Sequence, residues 1–422
     1  MDLSSHCLEV IRQTRLPELN LQGDLIYPTY QGYSIANLPA TVARLLGLPW
    51  VGSEPLAEKI LAPVKDSYDQ VILLLIDGFG WNLLEQVRHQ TGWQNILSEA
   101  DLAVLSSIVP STTASALTTF WTGVLPAQHG VIGYEMWLKQ QGVIANMITH
   151  SPATFRKGID SLQLSDFDAE TFLPMPTIGK RFKAEGAAVT VLQPSVINHS
   201  GLSNMLFADT NSIPYFAYSD LWVSLSGLVK NRSVKQSYVY AYISEIDTLT
   251  HHFGPNDERV HLELMVIGNY IDHFIKKAQK YSDGRTLLMI SADHGLIETP
   301  PVNDFDLNLH PDLLACLVMQ PTCENRLPFL YLRPGREEKA EVLIRQKWGN
   351  QFQIIQRKQV LESGLLGSDF LHEDVDSRIG DWMVVPQKNA YWWWKPAVNQ
   401  MHGRHGGLSP EEMLVPLLMI TI

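Results

Sequence analysis

The run Val71-Ile72-Leu73-Leu74-Leu75-Ile76, ending in Asp77-Gly78, constrains this chain more than any other segment. Six successive β-branched and leucine side chains leave no wet face, and a run this short reads as a strand buried on both sides. It is also the densest apolar run, and a membrane span needs about 20 such residues, so none is expected. Further candidate strands lie at 103–108, 143–148, 188–192, 237–243, 286–291, 382–385 and 416–422. Helical stretches at 81–90, 114–121, 178–185 and 259–281 separate many of them. This alternation predicts an α/β fold, a doubly wound and mostly parallel central sheet flanked by helices.

Three segments follow from the texture of the chain. Residues 1–68, mixed and Pro/Tyr-rich, read as an N-terminal arm packed on the main domain. Residues 69–298 and 376–422 form that domain. Between them, 299–375 reads as a small inserted α+β subdomain, with strands at 328–332 and 352–356 and a charged helix at 337–348. A segment tethered at both ends beside the strand termini is expected to form a cap.

Composition narrows the function classes. The 422 residues are 45% apolar and 18% charged, as in an ordinary soluble globule, which excludes disorder and fibrous repeats. Lys+Arg total 32 and Asp+Glu total 44, a net charge of −12, which argues against a nucleic-acid scaffold. A bound metal can still outweigh that field locally, so a small anionic substrate remains compatible. The start of the chain has no basic segment followed by an apolar one, so no signal peptide is expected. Cys7, Cys316 and Cys323 are too few and too odd in number for a disulfide framework. A cytoplasmic location is expected, and a homo-oligomer is left open.

In open α/β sheets, ligands bind beyond the carboxyl ends of the strands. The residues expected there are Asp77, the Ser111-Thr112-Thr113 triplet, Asp247 with His251 four residues on, and Asp293-His294. Singly, each has a structural explanation: a helix cap, a turn, a surface pair. Together, four strand ends carrying an Asp or a hydroxyl cluster point to a site. His402 and His405, just before the last strand, add a further nitrogen. Three Asp, three His and one Thr suffice for two divalent metals, zinc first for a mixed His/Asp set, with manganese or iron as alternatives. Two metals clamp an in-line phosphoryl displacement, activate a Thr hydroxyl, and sit beside a helix N-terminus that favours phosphate. Asp77-Gly78-Phe79-Gly80 lacks the third glycine of a dinucleotide loop.

With these motifs in order, the chain resembles the alkaline phosphatase superfamily and, within it, the type I phosphodiesterase/nucleotide pyrophosphatase family. The resemblance rests on Asp77-Gly78-Phe79, on Thr113 with Thr122-Gly123, Pro126 and His129-Gly130, on Asp247, His251, Gly254 and Pro255, on Asp293-His294-Gly295, and on His405-Gly406. It implies that Thr113 rather than Thr112 is the nucleophile, and His405 rather than His402 a ligand. It further implies one metal on Asp77, Thr113, Asp293 and His294, and another on Asp247, His251 and His405. The implied activity is phosphoric diester hydrolysis through a phospho-threonine, on a small phosphate ester or nucleotide. Phosphomonoester or phosphonate hydrolysis is the alternative, and a non-catalytic metal- or phosphate-binding protein the alternative of another class. The sequence departs from the family at Tyr134, which stands where the phosphodiesterases place an Asn. It also has no Arg near the nucleophile to grip a monoester, which favours diesters. Tyr134 is a candidate substrate contact. So is Trp393 within Tyr391–Trp394, a cluster equally readable as core. Lys395 and Arg404 could meet a phosphate or lie solvated.

Overall fold

The computed structural model describes residues 2–154, 158–232, 236–367 and 370–422, so 368 and 369 of the expected insertion lie outside the described residues. Seven strands form the central sheet: β1 (Gln70–Ile76), β2 (Asp101–Ser106), β3 (Ala188–Pro194), β4 (Asn211–Tyr215), β5 (Ser237–Ile243), β6 (Thr286–Ser291) and β7 (Leu414–Thr421). Their order is β2-β7-β6-β1-β5-β3-β4. All run parallel except β7, which is antiparallel to both neighbours. Helices flank the sheet, so the α/β expectation holds. Every residue of β1, β5 and β6 is buried, as two covered faces require. Strand β4 was not expected: its Asn-Ser-Ile-Pro-Tyr sequence is polar and carries a proline, which only an edge strand accepts.

Register brings the acidic residues to one edge. Leu75 pairs with Ser291 and with Tyr242, and Ile76 with Ile243. Asp77 and Asp293 therefore each lie two residues past a shared rung, and Asp247 follows just beyond β5. Because β7 is reversed, the chain enters it from this same edge, with Leu414 opposite Ser106, and brings His405 there.

A second sheet, antiparallel throughout, has the order Phe352–Gln356, Trp382–Pro386, Leu327–Leu330, Thr322–Glu324, Glu135–Leu138, Val143–Asn146, Ser151–Pro152. It draws strands from within 299–375 and from both sides of that segment. The strands expected at 143–148 and 382–385 belong to this sheet and not to the central one. The short link from Leu138 to Val143 permits only an antiparallel neighbour. The main core runs from Cys7, Ile11 and Ile35 through the central sheet. A smaller core gathers Leu307, Leu330, Trp348, Val384 and Trp392. The two sheets are joined by Arg326, in the turn between the 322–324 and 327–330 strands. It makes a bidentate pair with Glu412 at 3.0 and 2.7 Å, both side chains fully buried. Among the described residues, no helix is long and apolar enough to cross a membrane.

Candidate metal centre and active site

Three adjacent parallel strands, β6, β1 and β5, deliver most of the polar groups. Asp77 ends β1. Asp293-His294 follows β6. Helix α2 (Glu245–Phe253), opening after β5, presents Asp247 in its first turn and His251 in its last. Gly78 lets these approach: its φ is +74°, and a Cβ there would lie 3.0 Å from the Asp247 Cα and 2.6 Å from the Leu296 side chain. Helix α1 (Thr113–Thr122) follows β2 with Thr113 as its first residue.

The groups converge. Thr113 Oγ1 lies 3.1 Å from His294 Nε2. His294 Nε2 is 3.6 Å from Asp77 Oδ1 and 3.4 Å from Asp293 Oδ2. Asp247 Oδ1 is 3.2 Å from His251 Nε2 and 3.8 Å from His405 Nε2. The His294 and His405 rings stack at 3.7 Å. Ligand-type atoms of Asp77, Asp293 and His294 lie within 4.8 Å of one another, as do those of Asp247, His294 and His405. Thr112 donates instead to Glu324 Oε1 at 2.6 Å. His402 is exposed.

The donor set fits divalent cations. Each histidine turns Nδ1 to a backbone carbonyl: His251 to Gly403 O at 2.8 Å, His294 to Gly295 O at 3.2 Å, His405 to Ser111 O at 2.9 Å. A carbonyl only accepts, so Nδ1 carries the hydrogen and each Nε2 lone pair points inward, the arrangement of metal-bound imidazoles. Asp77 Oδ1, Asp247 Oδ1 and Asp293 Oδ2 are buried with no hydrogen bond among the described residues. Orphaned carboxylate oxygens of this kind are costly unless they meet a cation. The electrostatics agree. Burial, then the charges of Asp293 and Asp247, holds the Asp77 carboxyl well above the usual range. Burial pushes Asp247 up to about 7 and His251 down to about 4. His405 falls well below the usual imidazole value through burial and its neighbours His294 and His251.

A cavity of about 460 Å³ opens over these groups, lined also by Tyr134, Ile148, Leu202, Asn325 and Lys395. Trp393 is not among the described residues that line it; its indole N–H donates to Ala397 O at 2.8 Å. Trp392 beside it stacks on Phe352 at 4.4 Å in the smaller core. Arg404 is buried against the Tyr391 ring and donates to Thr299 O at 2.8 Å. Several site residues had no role in the sequence reading. Tyr242 donates to Asp77 Oδ2, and the alternation Tyr238, Tyr240, Tyr242 on one strand face was a usable signal. Glu324 and Asn325 enter from the second sheet, with no local signal. Gly406, at φ +115°, admits Glu324: a Cβ there would lie 2.5 Å from the Glu324 Cβ.

Residues 71–408 match the family model described as type I phosphodiesterase / nucleotide pyrophosphatase. The chain belongs to this family. Among solved structures, it is similar to an inactive form of murine ectonucleotide pyrophosphatase / phosphodiesterase 5 in complex with AMP. The TM-score is 0.60 at 14% identity, over 82% of this chain and 87% of that one. It is also similar to phosphonoacetate hydrolase from Sinorhizobium meliloti 1021 in complex with phosphonoacetate, with TM-score 0.57 at 16% identity, over 82% and 89% of the two chains. No curated protein matches in sequence. At these identities, the likeness shows an alkaline-phosphatase-like fold, and membership of the phosphodiesterase family makes the chain a hydrolase of the phosphoester type.

Proposed function

We propose that this member of the phosphodiesterase family hydrolyses phosphoric diesters through a phospho-Thr113 intermediate. The observation that carries the reading is the convergence of three orphaned carboxylate oxygens and three outward-bonded imidazoles at one sheet edge, with the Thr113 hydroxyl 3.1 Å from one of those imidazoles, His294. Asp77, Thr113, Asp293 and His294 would hold one divalent cation, and Asp247, His251 and His405 a second, zinc fitting the mixed His/Asp set best. When bound, the two cations supply positive charge for the phosphoryl oxygens and acidity for the Thr113 hydroxyl.

The remaining work falls to the chain itself. Thr113 sits at the N-terminus of α1, where free backbone N–H groups and the helix dipole favour a phosphate. Its oxygen attacks phosphorus, one alcohol or phosphate leaves carrying the Thr113 proton, and the phosphoryl group stays on Thr113 with its other ester bond intact. Water then attacks the same phosphorus and returns the Thr113 hydroxyl with a phosphomonoester. The bound AMP of the ectonucleotide pyrophosphatase / phosphodiesterase 5 relative supports a nucleotide-sized substrate. Three free cysteines fit a reducing compartment, and we place the reaction in the cytoplasm.

Thr113→Ala is expected to retain the fold and about two metal ions per chain by plasma emission. It should lose at least about a thousandfold in turnover of the p-nitrophenyl ester of thymidine 5′-monophosphate. A wild-type rate in Thr113→Ala would remove the nucleophile assignment. Preference of the wild type for p-nitrophenyl phosphate over the diester would replace the diester reading with a monoesterase.

A further inference from the structure

Tyr134 lines the catalytic cavity beside Thr113, Asp77 and Lys395. Its hydroxyl oxygen accepts a hydrogen bond from Asn146 Nδ2 at 2.6 Å. The Asn146 amide has one orientation only, because its Oδ1 accepts the backbone N–H groups of Ile148 at 2.9 Å and Thr149 at 3.0 Å. Reversal would set an NH₂ group against two N–H donors. Both residues belong to one hairpin, in which Glu135 faces Asn146 and the Met147 N–H donates to Tyr134 O at 2.8 Å. Gly133 presses this turn against Cys323, where a Cβ would come within 2.8 Å of the Cys323 Cα.

A phenol carries one proton. Since Asn146 can only donate to the Tyr134 oxygen, that proton is directed elsewhere; Tyr134 borders two cavities, and Asn146 lines the other one, so the proton turns to the cavity that holds Thr113. Burial keeps the phenol protonated. The Lys395 ammonium, 5.2 Å from the ring centroid, makes it a better donor.

We propose that Tyr134 is a catalytic residue that donates its phenolic hydrogen bond to a non-bridging oxygen of the phosphoryl group attacked by Thr113. Asn146 is the positioning residue that aims it. The proposal rests on the phosphodiesterase reading above. A preorganised donor to a developing oxyanion contributes about 10²–10³ in kcat, and a donor on a paired hairpin needs little reorganisation to make that contribution.

The test uses the metal-loaded full chain, the p-nitrophenyl ester of thymidine 5′-monophosphate and its two phosphorothioate diastereomers. Tyr134→Phe is expected to lower kcat about a hundredfold with KM nearly unchanged. Asn146→Asp keeps an oxygen for the two backbone N–H groups but sets a second one against the phenol, drawing its proton out of the cavity; its loss should equal that of Tyr134→Phe. Asn146→Ala leaves the hydroxyl free to turn and should lose less. A merely structural Asn146 predicts the opposite ranking, since Asp is the closer isostere. Sulfur accepts hydrogen bonds poorly, so one diastereomer should react slowly with the wild type and lose that penalty in Tyr134→Phe. An unchanged kcat in Tyr134→Phe, a retained sulfur penalty, or Asn146→Ala worse than Asn146→Asp would overturn the proposal. Thr113→Ala measured alongside separates the two levels: activity surviving there defeats the phosphodiesterase reading, whatever the Tyr134 variants do.

Discussion

His129 shows how a motif residue can serve the site without touching it. It is fully buried, its Nδ1 accepts the Val131 N–H at 3.1 Å, and its Nε2 lies 3.0 Å from Thr119 Oγ1. The accepting Nδ1 fixes the tautomer: Nε2 carries the hydrogen and donates to Thr119, tying the chain after α1 back to that helix. Burial, helped by the positive charges of His372 and Arg378, pushes its pKa down to about 3. The folded value lies below the ~6.5 of an unfolded imidazole, so acid favours the unfolded chain, which takes up the proton first. The contribution of His129 to stability is complete above about pH 6.5 and declines as pH falls toward 3, by about 1.4 kcal/mol per pH unit. Buried His150, pushed down to about 4, has the same sign. Compared by urea unfolding between pH 6.5 and 4.5, His129→Gln should shift the pH dependence of stability toward less loss on acidification than the wild type, by about one proton. An unchanged slope would mean that His129 is already charged in the fold.

Among the elements, the turn carrying Arg326 matters most to the site. Glu412, besides pairing with Arg326, accepts the backbone N–H groups of Gly407 at 2.9 Å and Ser409 at 3.2 Å, so the pair clamps the loop that presents His405. Arg326→Met leaves a buried carboxylate facing those N–H groups alone and should cost about 3–5 kcal/mol by chemical denaturation. The double variant Arg326→Met/Glu412→Leu should recover part of that loss but not all, because the loop's two N–H groups stay unpaired. Full additivity of the two single variants would show that the pair is not coupled. This clamp also marks the limit of what the sequence discloses. Asp77, Asp293 and Asp247 were legible because each follows a strand whose apolar run announces itself. Glu324 and Asn325 were not, since they reach the cavity through antiparallel pairing of segments nearly two hundred residues apart, which no local period encodes. Within the aromatic cluster the sequence could not separate the members: Trp392 and Trp394 pack into the smaller core, whereas Trp393 joins neither core and donates its indole N–H to Ala397 O.

For the molecule as a whole, metal is expected to be a structural component as well as a catalytic one. Three buried carboxyls share one pocket, and burial with mutual repulsion raises Asp77 and Asp247, so cations that bind only the folded state should stabilise it. Occupation at a hundredfold excess over Kd contributes about 2.7 kcal/mol per site. Stripping with a chelator should lower Tm, and zinc titrated back should restore it with a stoichiometry of about two; a Tm indifferent to metal would place the ions outside the carboxylate cluster. The sheet order adds a constraint in time. Strand β2, which leads into Thr113, is an edge strand joined to the sheet by β7 alone, and β7 is antiparallel between β2 and β6. On the ribosome, β1, β5 and β6 can pair and bring Asp77, Asp247 and Asp293 together while the strand that leads into Thr113 still has no partner in the sheet. Only when β7 has emerged, after every other strand of both sheets, does Thr113 gain its place beside the carboxylates, so a nascent chain can gather the proposed acidic ligands well before the proposed nucleophile is in position.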